Sequence, residues 1–275
     1  MQFIDDVLSG RITLPMVPKV ILQLLTELRR EDAQLSTIAE LIEKDPVLGS
    51  RILRMANTSY FGGRRSVDSL KDAVSVIGAK PLTTLLVACG AQSAFADVPA
   101  VNLKRFWESA QQTAVASRQV ATRLKADPEA AYSAGLLSTV GHLILCQCEP
   151  EKARKAFNTL RTPWGDELAR KEELAFGVAH HQVSAVWVDK LRMPAHISRA
   201  IELSHAGPGL VVPTLARALQ IGTTLVAALA DGADPETAEL ALPEGLLTAA
   251  GLPNYLTGGD ARSDLAMLAA LPVGG

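Results

Sequence analysis

The side chains best suited to chemistry in this chain of 275 residues are five histidines and three cysteines. His142 and Cys146 stand four apart, so a helix places them on one face as a soft two-ligand pair. Two ligands do not make a zinc site, and a buried helix accounts for both without metal. His180 and His181 are adjacent, and neighbours on a helix point about 100° apart, which argues against both serving one metal. They are read as structural or pocket-lining. Arg51, Arg54, Arg64 and Arg65 gather around Tyr60 and Phe61, a basic and aromatic grouping suited to nucleic acid, a cyclic dinucleotide or an acidic protein surface. The plainer alternatives are a solvated helix end for the arginines and a seam plug for the two aromatics. No glycine-rich phosphate loop precedes a helix, and no serine lies in an elbow sequence.

Composition narrows the class. Hydrophobic residues make up 48% of the chain, ample for a core, yet no apolar run reaches the roughly 18–20 residues of a membrane span. The first residues, Met1-Gln2-Phe3-Ile4-Asp5-Asp6, carry acids where a signal peptide would carry lysine or arginine. A soluble, cytoplasmic protein is expected. Three cysteines without a CxxC fit a reducing compartment. A formal charge of −2 gives no global attraction to nucleic acid or to an acidic membrane.

The elements that must position these residues read as helices throughout. Apolar residues recur at three and four, as in Val20, Leu24, Leu28, and no period-two strand pair is evident. A short first helix ends at Ser9-Gly10, and Leu14-Pro15-Met16-Val17-Pro18 is an extended arm because each proline biases its predecessor away from helix. Helix starts are expected at Ser36, Asp45-Pro46, Asp68 or Ser69, Asn102 and Asp127-Pro128, with Gly78 a helix stop. Asp97-Val98-Pro99-Ala100 is the best boundary, dividing an N-terminal unit, 1–97, from a second unit, 98–275. The apolar stretch Ala130–Cys148 reads as one buried helix at the centre of the second bundle.

Several ordered motifs resemble the HDOD domain of bacterial signalling proteins. Leu14-Pro15, Val17-Pro18, then Ile38 to Leu48, then Arg54-Met55-Ala56-Asn57-Thr58 with Tyr60-Phe61-Gly62 carry the first half. Phe106-Trp107, Gly135-Leu136-Leu137, Gly141, Phe176-Gly177, His180 and Pro194 carry the second. The resemblance implies an all-α fold in which an N-terminal helical bundle packs on an HD-like helical unit.

HDOD domains are similar to HD-type metal phosphohydrolases with a degraded metal site. In those enzymes a His-Asp pair, further histidines and a distant aspartate hold divalent metal that activates water. Here Ser138-Thr139 stand at the His-Asp position, Ser109 where an upstream histidine is expected, and Thr223 where the last aspartate falls. His180 and His205 lie near family histidine positions. Neutral hydroxyls bind Mg²⁺ or Mn²⁺ poorly. The resemblance therefore implies a vestigial pocket of Ser109, Ser138, Thr139, His180, His205 and Thr223, with no catalytic metal and no cofactor. It also implies a non-enzymatic signalling role through protein contacts, with GGDEF- or EAL-type enzymes or other regulators as partners in cyclic-di-GMP, motility or stress pathways. With no GGDEF, EAL or receiver segment in this chain, output is expected in trans. Arg51, Arg54, Tyr60, Phe61, Arg64 and Arg65 are the candidate partner contacts. A residual phosphohydrolase or nucleotide-binding protein using the old pocket is the alternative.

Overall fold

A computed structural model of the chain describes residues 2–15, 17–57, 66–157, 165–207 and 210–229, with Leu247. Every regular element among them is helical. They fall into two compact units, Pro15–Ala96 and, discontinuous in sequence, Met1–Leu14 with Asp97–Gly275.

The opening helix, α1 (Gln2–Leu8), groups with the second unit, whereas the sequence reading keeps residues 1–97 together. Its apolar face supplies the reason. Phe3 and Val7 are buried, and Lys190 Nζ donates to the Val7 carbonyl at 3.3 Å.

The five helices after the arm are α2 (Lys19–Leu28), α3 (Leu35–Glu43), α4 (Pro46–Ala56), α5 (Leu70–Ile77) and α6 (Ala79–Ala94). Their starts follow local chemistry. Asp45 accepts from the amides of Val47 and Leu48, and Ser69 accepts from that of Asp72, satisfying donors a helix start leaves open. Gly78 takes φ 78° between α5 and α6, a left-handed turn that suits glycine. Ser36 is not a cap. α3 begins one residue before it, and Gln34 precedes the helix without any side-chain bond to its amides.

The second unit continues with α7 (Leu103–Arg123), α8 (Pro128–Leu137), α9 (Val140–Cys148), α10 (Pro150–Ala156), α11 (Gly165–Phe176), α12 (His180–Lys190), α13 (Ala195–Glu202) and α14 (Thr214–Leu229). Asn102 and Asp127 cap α7 and α8 through their carboxamide and carboxylate oxygens. α7, α8 and α14 pack on one another through small residues, including Ala116, Ala121, Ala131 and Ala218, each at or near zero exposure. Small side chains let the helix axes approach closely: a Cβ on Gly222 would lie 2.7 Å from the Ser117 amide nitrogen.

The expected single helix over Ala130–Cys148 is two helices with a break at Ser138-Thr139, where Thr139 leaves helical geometry at φ −102°, ψ 0°. Two glycines explain the break. Gly135 presses α8 onto α7, where an added Cβ would lie 2.6 Å from the Ala114 Cα. Gly141 presses α9 onto α12, where it would collide with the His180 carbonyl and lie 2.8 Å from the Ser184 nitrogen. The Gly141 amide also donates to Ser184 Oγ at 2.7 Å. One straight helix is not needed to bury this stretch; two short ones reach two neighbours.

Those contacts are with backbone, which has no rotamer by which to yield. Gly141→Ala is therefore expected to lower stability by about 3 kcal/mol. Gly207→Ala, where an added Cβ meets nothing within 4 Å, is expected to stay within about 0.5 kcal/mol. Urea unfolding midpoints check the pair, and equal costs would mean the α9–α12 approach is looser than described.

Candidate functional site

The α9–α12 contact brings three helices around one carboxylate. Glu172, on α11, has no exposed surface. Its Oε1 pairs with His142 Nδ1 at 2.7 Å. Its Oε2 accepts from the backbone N–H of His180 and meets His180 Nδ1, each at 2.6 Å. A buried carboxylate is costly unless paired and hydrogen-bonded, and this one is both. Burial opposes its ionisation, but His180 and His142 outweigh that and draw Glu172 down to about 2. Burial likewise works against charge on His142; Cys146 Sγ, 3.7 Å from its Nε2, and Glu172 overcome it and raise the group. The buried charge pair is therefore His142 with Glu172.

His180 behaves differently. Burial holds it below its ordinary value despite Glu172, and the neighbouring His205 and His142 push the same way. A neutral His180 must donate from Nδ1 to the carboxylate, which leaves Nε2 as the bare acceptor.

Two more imidazoles stand against it. The rings of His180 and His205 are 5.1 Å apart between centroids, those of His181 and His205 4.7 Å, and those of His180 and His181 5.7 Å. One ring nitrogen from each lies within 4.8 Å of the others. Adjacent residues do diverge along a helix, but His180 and His181 open α12, and His205 stands against both rings. His181 is almost wholly buried, and its Nδ1 has no hydrogen-bond partner among the described residues. Burial, and then His205 and His180, push it down to about 3. His205 pairs through Nδ1 with Asp166 Oδ1 at 2.7 Å, a bond that holds Asp166 below the usual carboxylate range.

A second buried network fixes the loop that carries His205. Gln220 Nε2, on α14, donates to the carbonyls of Leu203 at 3.1 Å and Ala206 at 2.8 Å, bracketing His205. Arg217 orients Gln220 through its Oε1 at 2.8 Å and holds the Leu210 carbonyl at 2.9 Å.

Of the positions read as a vestigial pocket, His180 and His205 come together; Ser138 and Thr223 turn inward. Ser138 Oγ donates to the Gly135 carbonyl at 2.9 Å and Thr223 Oγ1 to that of Leu219 at 2.9 Å. Thr139 Oγ1 is buried with no partner among the described residues, and Ser109 is half-buried on α7. These hydroxyls offer no carboxylate, so they do not fit the metal centre of an HD-type hydrolase. The three imidazoles are a different donor set and do fit a borderline-soft dication. Arg51 is half-buried beside Cys89, whose thiol burial pushes up while Arg51 opposes; Arg54 is exposed. Tyr60, Phe61, Arg64 and Arg65 lie outside the described residues.

Sequence reasoning missed Glu172, Asp166 and Gln220, and it read His181 as structural or pocket-lining without placing it in the vestigial pocket. For Glu172 a signal existed. Leu168, Ala169 and Glu172 are all buried, spaced as one helical stripe, so a carboxylate fell on an apolar face. Asp166 and His205 are distant in sequence, and nothing local pairs them.

Thr139→Val removes an unsatisfied hydroxyl and is expected to leave stability within about 0.5 kcal/mol or raise it, while Ser138→Ala costs about 1 kcal/mol. A loss above about 2 kcal/mol for Thr139→Val in urea unfolding would mean the hydroxyl has a partner. Acid stability follows from three depressed groups. Unfolded His181 takes up a proton at its ordinary 6.5 and the folded one only at about 3, so its contribution is full above 6.5 and lost as pH falls toward 3. His180 acts in the same sense, and Glu172 adds a loss from 4.5 toward 2. Stability should therefore decline from pH 6.5 downward, and His181→Gln should flatten the part between 6.5 and 4.5. Thermal melts at stepped pH test this, and an unchanged slope in the variant would refute it.

Comparison with known proteins agrees with this architecture. An HDOD domain protein of unknown function from Geobacter sulfurreducens superposes with a TM-score of 0.68 at 20% identity, over 98% of this chain and 93% of that one. A candidate phosphohydrolase of Shewanella amazonensis superposes with a TM-score of 0.70 at 23% identity, over 94% and 95%. At such identities the likeness is one of fold. An uncharacterized protein of Treponema pallidum is 24% identical over 207 residues, which are 74% of this chain and 39% of that protein. This chain thus spans about two fifths of its relative's length. The family model for the HDOD domain matches residues 14–207, from the proline arm through the His205 loop and thus across most of the chain, and the chain belongs to the HDOD family.

Proposed function

We propose that this chain is a non-catalytic signalling module that works in the cytoplasm by binding another protein. One observation carries the reading: the helix break that would hold the hydrolytic His-Asp pair holds Ser138 and Thr139, both buried, with Ser138 bonded back to its own helix. Without that pair the site lacks the carboxylate ligand that the hydrolytic chemistry uses. The family resemblance makes GGDEF- or EAL-type enzymes, or other regulators of motility and stress responses, the partners of choice. Exposed Arg54, with Arg64, Arg65, Tyr60 and Phe61 of the following segment, supplies residue types that dominate binding hot spots.

A residual metal-dependent phosphohydrolase is the second reading, favoured by the convergence of His180, His181 and His205. Purified chain supplied with Mn²⁺, Fe²⁺ or Zn²⁺ separates the two when offered phosphomonoesters, phosphodiesters and cyclic dinucleotides. The expected result is no turnover above the metal-ion blank. Turnover that disappears in His180→Ala would establish the enzyme instead. Direct binding to purified GGDEF- and EAL-domain proteins of the same bacterium tests the contact reading. Arg64→Glu with Arg65→Glu should abolish that binding at an unchanged melting temperature. Undiminished binding in the folded variant would move the docking surface elsewhere.

A further inference from the structure

We propose that His180, His181 and His205 form a binding site for one borderline-soft dication of the zinc class, a clasp joining the start of α12 to the loop after α13. Three observations converge on it. One nitrogen of each ring already lies within 4.8 Å of the other two. Zinc–imidazole bonds of about 2.0–2.1 Å put tetrahedral ligands roughly 3.3 Å apart, so closing the site takes side-chain adjustments of about 1.5 Å or less. The ring of His205 is partly accessible at the edge of the cluster, with its Nδ1 held by Asp166.

The surroundings are those that orient metal-bound imidazoles. Glu172 Oε2 accepts a hydrogen bond from Nδ1 of His180 at 2.6 Å, and Asp166 stands at 2.7 Å from Nδ1 of His205. A carboxylate on one nitrogen fixes the tautomer and raises the basicity of the other, the arrangement seen around metal-bound histidine generally. Neither carboxylate is a ligand: both oxygens of Glu172 are consumed by His142 and His180, and Asp166 faces His205. His181 adds a buried nitrogen with no partner among the described residues, an unsatisfied group of a kind that calls for an explanation.

The donor set decides the class of ion. Three imidazole nitrogens suit Zn²⁺, Co²⁺ or Ni²⁺ and disfavour Mg²⁺ and Ca²⁺, which require oxygen. Gln220 fixes the loop on both sides of His205, so the third ligand is placed before the ion arrives. The clasp ties residues 180–181 to residue 205 within one unit, and occupancy therefore raises the stability of that unit.

The test is titration of the full chain, stripped of metal by chelator, with Zn²⁺ in a calorimeter and with Co²⁺ in a spectrophotometer. One equivalent should bind, raise the melting temperature, and give Co²⁺ the visible absorption of a four-coordinate nitrogen-rich site. His181→Ala with His205→Ala should abolish binding. Asp166→Asn, a change at an exposed carboxylate that leaves all three ligands in place, should weaken it about 10–100-fold. Failure to bind one equivalent, a thiolate-to-cobalt charge-transfer band pointing to cysteine, or affinity unaltered in Asp166→Asn and in the double histidine variant would each overturn the proposal.

Discussion

The second unit depends on a carboxylate that water never reaches. Glu172 ties α11 to α9 through His142 and to the start of α12 through both the backbone and the ring of His180. An uncompensated charge in this position would cost several kcal/mol, so the three helices cannot separate without exposing it or stranding it. Divergent protonation follows from the same contact. Against burial, Cys146 and Glu172 raise His142, whereas burial, with His205 and His142 beside it, holds His180 below its ordinary value despite Glu172. The neutral imidazole then faces two others.

That arrangement is tolerated because the helices approach closely where side chains are absent. Gly141 lets α9 sit against the His180 carbonyl and the Ser184 amide, and Gly222 lets α14 sit against Ser117. Without these approaches α12 would stand further from α9, and one carboxylate could not reach both histidines. The alanine-rich seam of α7, α8 and α14 does the same for the helix that carries Gln220, and so for the His205 loop. Packing by small residues and the polar site are therefore one constraint, not two.

Much of this was legible in the residues. Caps at Asp45, Ser69, Asn102 and Asp127 act through local side-chain-to-backbone bonds, which sequence separation of two or three residues suffices to suggest. Of the five helices following the proline arm, α4 and α5 were legible for the same reason, whereas α2, α3 and α6 lack a side-chain cap and were legible from apolar spacing and from proline or glycine at their ends. The break at Ser138-Thr139 was not, because a continuous apolar run satisfies a buried helix and two buried helices equally well. What decides between them is the neighbours that Gly135 and Gly141 touch, about forty residues away for α12. The grouping of α1 with the second unit is also long-range, set by Lys190 and a buried apolar face. Reading the site ran into the same limit: histidines were weighed by their spacing, whereas Asp166, Glu172 and Gln220 act on them across the fold.

The small hydroxyl residues at the α8–α9 break and the paired carboxylate–imidazole contacts of Glu172 have different physical consequences. Ser138 and Thr139 are small enough to be buried at a helix break, where charged ligands without a metal would each demand a partner. Glu172 already has its partners, two of them on α12's first residue, so it holds the fold whether or not the cluster carries an ion. Because the His180 carbonyl also abuts Gly141, a shift of α12 at its first turn must move the imidazole cluster and the α9 contact together. The histidine cluster is thus mechanically joined to the core of the second unit through Glu172 and Gly141.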